Sequence, residues 1–105
     1  MKMIYISLPI RGHEYTYELR LDEAVEYVKE KYQEYDRIIT PKYVADELDE
    51  RLEPIIPAYK DYLYEDIGVI KICDAIFMCD GWNNSDGCSA EWAFARAIGI
   101  TILYK

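Results

Sequence analysis

One histidine and three cysteines are all that this chain offers a soft metal ion. His13 stands far from Cys73, Cys79 and Cys88, and the cysteines show no zinc spacing. Odd in number, they read as ordinary core or turn thiols of a reduced, cytoplasmic protein. Positive charge is also scarce. Twelve Lys and Arg against 20 Asp and Glu give 12 − 20 = −8. Such a surface repels polyphosphate and no basic patch interrupts it, so no nucleic-acid polymer is expected as a partner. No apolar run is long enough to span a membrane, and the first strand begins at Met3 with no signal peptide before it, so no membrane partner is expected. Neither a G-x-G-x-x-G turn nor a phosphate-binding P-loop occurs, which disfavours dinucleotide and NTPase chemistry. No metal and no cofactor are expected, and no internal repeat or low-complexity linker divides the chain.

What is present is a 51% hydrophobic chain of 105 residues, read as one domain over 1–105. Eleven tyrosines are unusual at this length. Most are expected to be amphipathic surface or interface rings. The run Asp46, Glu47, Asp49 and Glu50 reads as a solvated helix face, and His13 as a solvated loop residue.

Met3–Leu8 alternates as a strand, with Ile4 and Ile6 on one face and Tyr5 and Ser7 on the other. A loop through Pro9–Tyr15 leads to a helix over about 17–34, whose stripe is Leu21, Ala24 or Val25, Val28 and Tyr32. Arg37–Thr40 is a short strand stopped by Pro41. Lys42–Glu53 is weakly amphipathic through Val44, Leu48 and Leu52, and Pro54 and Pro57 end it. Tyr59–Ile72 is a firmer helix with Leu63, Ile67 and Ile70 inward and Asp66 at the margin of that stripe. Ala75–Cys79 is a strand buried on both faces. Asp80–Gly87 is turn chemistry. A helix carrying Ala90, Ala93, Phe94, Ala97 and Ile98 follows, with Glu91 expected in its first turn. Gly99 stops it, and Ile100–Tyr104 returns as a strand. The alternation predicts an α/β fold: a flavodoxin- or Rossmann-like three-layer sandwich on a parallel sheet of about four strands, ordered 2-1-3-4. Strands 1 and 3 then flank a crevice at the carboxyl edge, where open α/β sheets hold ligands.

Three patches resemble one family. They are Tyr5-Ile6-Ser7-Leu8-Pro9-Ile10-Arg11-Gly12, then Asp66-Ile67 with Cys73-Asp74-Ala75-Ile76, then Ser85-Asp86-Gly87-Cys88-Ser89-Ala90-Glu91. In that order they are similar to the nucleoside 2-deoxyribosyltransferase superfamily, including the 2′-deoxynucleoside 5′-phosphate N-hydrolases. Gly81-Trp82 with Ser85 and Gly87 looks most like its small DUF4406-type branch. The resemblance implies that Glu91 is the nucleophile at the anomeric carbon. It also implies that Asp66 contacts the sugar or protonates the leaving base, and that Tyr5 orients Glu91. Chemically this is coherent, since a carboxylate can stabilise or capture the oxocarbenium-like charge of a breaking N-glycosidic bond. Burial of Asp66 among Leu63, Ile67 and Ile70 would raise its pKa as a general acid requires.

Ser7, Arg11, Ser85 and Ser89 with the amides of Gly87–Ser89 could cradle a 5′-phosphate, as Arg11-Gly12 in the phosphate-hydrolase branch implies. Asp86 would oppose one. Ile10, Gly12 and Gly81 belong to the same loops, and Trp82 is a candidate to stack on a base. Larger transferases continue beyond the fourth strand, so the resemblance implies a homodimer or larger assembly in which a neighbouring subunit closes the pocket. Tyr59, Tyr62 and Tyr64 are the candidate interface rings. The expected function is cleavage, by hydrolysis or transfer, of the N-glycosidic bond of a deoxynucleoside or its 5′-monophosphate. The alternative is a non-catalytic module that binds a nucleotide-derived small molecule, for which a complete Tyr5, Asp66 and Glu91 set would be superfluous.

Overall fold

The computed structural model describes residues 1–10 and 12–105; the expectation placed on Arg11 lies outside them. Strand β1 (Met3–Ser7) leads to α1 (Tyr17–Lys31), β2 (Arg37–Ile39), α2 (Pro41–Leu52), α3 (Tyr59–Ile72), β3 (Ala75–Met78), α4 (Asp86–Ile98) and β4 (Thr101–Tyr104). The four strands are parallel in the order β2-β1-β3-β4, as the alternation of elements requires. Tyr5 is paired with Ile39 on one side and Ile76 on the other, so β1 lies inside the sheet.

The period-2 alternation of β1 decides which core each residue joins. Ile4, Ile6 and Leu8 meet Leu21, Ala24 and Val28 of α1 together with Ala75, Phe77 and Cys79. Tyr5 turns to the opposite face with Ile39, Ile76 and Met78, where Val44 of α2, Ile70 of α3 and Ala95 of α4 cover it. One helix therefore covers the first face and three cover the second. Tyrosines extend the thinner layer: Tyr27 and Tyr32 lie 5.6 and 6.3 Å from the Phe77 ring, and the Tyr32 hydroxyl donates to the Tyr104 carbonyl at 3.2 Å. Much of the tyrosine content is thus packing on the α1 face.

Local chemistry moves several boundaries. Helix α1 stops at Lys31 rather than near 34, because Tyr32 leaves helical geometry while its N–H still donates to the Val28 carbonyl. Thr40, read as the last residue of a strand, instead caps α2: its hydroxyl accepts from the Tyr43 N–H at 3.2 Å, and Pro41 takes the first helical position. Ser85 does the same for α4, accepting from the Cys88 N–H at 3.3 Å, so that helix begins at Asp86, inside the stretch read as a turn. Gly99, at φ +81°, closes α4 by donating its N–H to the Ala95 carbonyl, a conformation that disfavours any side chain. Among the described residues no helix is long and apolar enough to cross a membrane.

Candidate active site

Glu91 is a charged side chain in an apolar place. It is the sixth residue of α4, 5% exposed, and lies under the carboxyl ends of β1 and β3. It sits one turn deeper than the first-turn position expected for it. The field of a helix N-terminus fades beyond its first turn, so side chains must hold this carboxylate. Two do: Ser7 Oγ donates to Oε1 at 2.7 Å and Tyr5 Oη donates to Oε2 at 3.0 Å. Both donors come from β1, where alternation places them two residues apart on one face, and both are fully buried. Each oxygen of the acid therefore has its own hydroxyl, which lowers the cost of burying the charge.

Asp66 of α3 is within hydrogen-bonding reach of Glu91 and of Tyr5. Burial first, and then the Glu91 charge, push its carboxyl up to about 8; the Tyr5 hydroxyl pulls it slightly down. Glu91 is also raised by burial, but Ser7, Tyr5 and Asp66 all act to lower it. Burial thus raises both acids, while the two β1 hydroxyls favour the charged form of Glu91 and the Glu91 charge favours the protonated form of Asp66. Burial of this kind is the cause anticipated for Asp66, with Leu63 beside it and Ile67 and Ile70 further along its stripe. Tyr5 is held well above its ordinary pKa by burial and then by Glu91 and Asp66, so it remains a donor.

These groups form the floor of a cleft of about 380 Å³. Leu8 and Ile10 after β1, Pro41 and Ala45 of α2, and Tyr59, Tyr62 and Leu63 of α3 make an apolar wall. Opposite stand Asn84, Ser85, Asp86, Gly87 and Cys88 from the β3–α4 loop and the start of α4. Tyr62 is fixed by donating its hydroxyl to Asp49 at 2.5 Å. The Tyr59 hydroxyl lies 2.7 Å from where a Cβ on Gly87 would stand, so only glycine admits that ring there without displacement.

The structure brings Tyr5, Ser7, Ile10, Asp66, Ser85, Gly87 and Glu91 to this cleft or its floor, and places Gly12, Gly81, Trp82 and Ser89 elsewhere. Gly12 adopts φ +85° and donates its N–H to Glu14 at 2.6 Å. Gly81, also at φ +85°, turns the chain beside Pro9. Trp82 is stacked on Trp92 at 5.3 Å and tilted against Tyr104, away from the cleft wall. Ser89 donates to the Trp82 carbonyl at 3.3 Å. Tyr59 and Tyr62, expected from sequence as interface rings, line the cleft; their i, i+3 spacing next to Asp66 was the available signal. The three cysteines are free and buried, and burial pushes the Cys73 thiol up to about 11 and Cys79 to about 12, leaving them protonated and unreactive. Among the described residues no three His, Cys, Asp or Glu side chains gather as a metal site.

Fold and floor together define an α/β domain whose switch-point crevice holds a hydroxyl-clamped glutamate beside an aspartate whose carboxyl burial raises. The chain belongs to the DUF4406 family, a domain of unknown function, whose model matches residues 2–104. Its fold is that of a 2-desoxiribosyltransferase from Leishmania mexicana: TM-score 0.66, 22% identity, 99% of this chain aligned. The chain spans 63% of that protein's length. No protein with a curated description matches the chain by sequence.

Proposed function

We propose that this protein cleaves the N-glycosidic bond of a nucleoside, with Glu91 as nucleophile and Asp66 as general acid. The observation that carries the reading is the Asp66–Glu91 pair at the floor of a cleft large enough for a small ligand: burial raises Asp66 to about 8, and the Tyr5 and Ser7 hydroxyls favour the charged form of Glu91. Two carboxyl groups in such unlike surroundings are what acid-assisted displacement at an anomeric carbon needs. The fold shared with a deoxyribosyltransferase favours a 2-deoxyribosyl substrate.

In this mechanism a Glu91 oxygen attacks C1′ while the C1′–N bond breaks. The bonding electrons go to the base nitrogen, and the Asp66 proton goes to the base. Glu91 is then an ester of the sugar and Asp66 an anion. Water next attacks C1′, gives a proton to Asp66 and releases Glu91 as a carboxylate, so sugar and base leave and the enzyme is restored. A second base in place of water would give transfer. Tyr5 and Ser7 keep Glu91 aimed and charged between turnovers.

The described cleft favours an uncharged nucleoside over its 5′-monophosphate. Asp86 already brings a carboxylate to the start of α4, where an anion would otherwise sit. Three of the described donors are already engaged: Ser7 is bonded to Glu91, the Gly12 amide to Glu14 and Ser89 to a carbonyl. In the same reading a second copy of the chain packs over the cleft, whose lining includes the exposed Ile10 and Tyr59.

The deciding experiment follows base release from deoxynucleosides and their 5′-monophosphates by chromatography, with Glu91→Gln alongside. Release by the native protein and none by the variant is expected, with nucleosides the better substrates. Saturable binding without release, unchanged in Glu91→Gln, would instead make the domain a binding module.

A further inference from the structure

Past the carboxyl ends of β1 and β3 the Cys79 N–H donates to the Ser7 carbonyl at 3.0 Å, and the chain then enters the two loops that wall the cleft. Pro9 has no N–H to offer, and among the described residues no further backbone hydrogen bond joins these loops. A side chain does. Arg20, the fourth residue of α1, donates through Nη1 to the Pro9 carbonyl at 3.3 Å and through Nη2 to the Asp80 carbonyl at 3.1 Å. It shares a recess of about 120 Å³ with Leu8, Ala24, Phe77 and Cys79. Glu23 and Asp80 line that recess too, yet among the described residues Arg20 forms no ion pair. Its fork serves two carbonyls from different loops, a task that suits a planar guanidinium better than an ammonium.

We propose that Arg20 is a positioning residue that sets the separation of the two cleft walls from the α1 side of the sheet. This rests on the reading of the cleft as a nucleoside site. Pro9 is followed at once by Ile10 on one wall, and the chain from Asp80 runs on to Asn84, Ser85, Asp86 and Gly87 on the other. Gly81 turns beside the Pro9 ring at the same point, so the loops approach where Arg20 ties them. The acid pair does not depend on this tie. Tyr5 and Ser7 are held by sheet pairing to Ile76 and Met78, and Glu91 by its place on α4. Arg20 therefore governs how tightly a ligand is held rather than how fast its bond breaks. Walls ordered in advance spare the ligand the cost of ordering them.

The test is Arg20→Met, which keeps an unbranched apolar stem and removes the fork, read first without ligand by amide hydrogen exchange. The His13 amide closes a turn in the first loop by donating to Ile10, and the Trp82 and Asn84 amides do so in the second by donating to Cys79 and Gly81. Both sets should exchange about tenfold faster in the variant, while the amides of β1 and β3 keep their native rates. With deoxynucleosides, KM should rise about tenfold and kcat should stay within about twofold of native. Arg20→Lys, with one nitrogen in place of the fork, should fall between the two. Faster exchange in one loop alone, in neither, or equally in the strands overturns the proposal, as does a fall in kcat at unchanged KM. Absence of turnover by the native protein, with both loops loosened together in Arg20→Met, sinks the catalytic reading and leaves the clamp standing.

Discussion

Ser7 is the residue on which the charge state of the site depends most directly. Its hydroxyl holds one oxygen of a carboxylate that burial alone would neutralise. A hydrogen bond to a charged group contributes about 1.5–3 kcal/mol, so Ser7→Ala should raise the Glu91 pKa and cost roughly 10- to 100-fold in kcat at neutral pH. Part of that loss should be recovered at higher pH, a profile that steady-state kinetics can read. Asp66 makes a prediction of opposite sense for stability. Below 3.8 both folded and unfolded chains carry its proton; between 3.8 and about 8 only the folded chain does. Stability therefore falls as pH rises through that window and levels off above it. Asp66→Asn cannot ionise, so its melting temperature should exceed the native value by a margin that grows across the same window, while activity is lost. Thermal melts along a pH series check both. Tyr5, Ser7 and Glu91 could be read from the chain because strand alternation and a recognisable patch place them.

Among the elements, α4 depends most on its first turn. Ser85 caps it, and Ser85→Ala should cost about 1 kcal/mol of stability, measurable by denaturant titration. Ser85, expected from sequence as a phosphate ligand, is also the cap of this helix, and serine before a helix serves either purpose equally well on paper. Gly87, two residues on, carries opposed effects. Alanine is the better helix former by roughly 1 kcal/mol, but its Cβ would meet the Tyr59 hydroxyl at 2.7 Å. Gly87→Ala should therefore leave the melting temperature nearly unchanged while weakening ligand binding, because Tyr59 must leave the cleft wall. Saturation binding separates this outcome from simple destabilisation. Element order and the inward stripes of α1 and α3 were legible because their periodicity is strong. The ends of β2 and α4 were not, because Thr40 and Ser85 cap with side chains whose partners only the folded chain reveals.

At the scale of the molecule, the exposed apolar residues gather unevenly. Ile55 is 67% exposed, Ile56 90% and Tyr59 55%, all on the loop and helix start beside the cleft. If a second copy covers them, sedimentation should give twice the 12.4 kDa chain mass, and Ile56→Glu should return it to a monomer with a more open, less active site. Glu91 and its Ser7 donor are separated by 84 positions along the chain, and Ser7 pairs with Met78 of β3 across most of that interval. Nothing local can assemble this site: a chain with every helix formed but β1 undocked has no oriented nucleophile. In a refolding experiment, recovery of catalysis should therefore trail recovery of helical signal and coincide with closure of the sheet, which would make turnover itself a reporter of the last long-range step in folding.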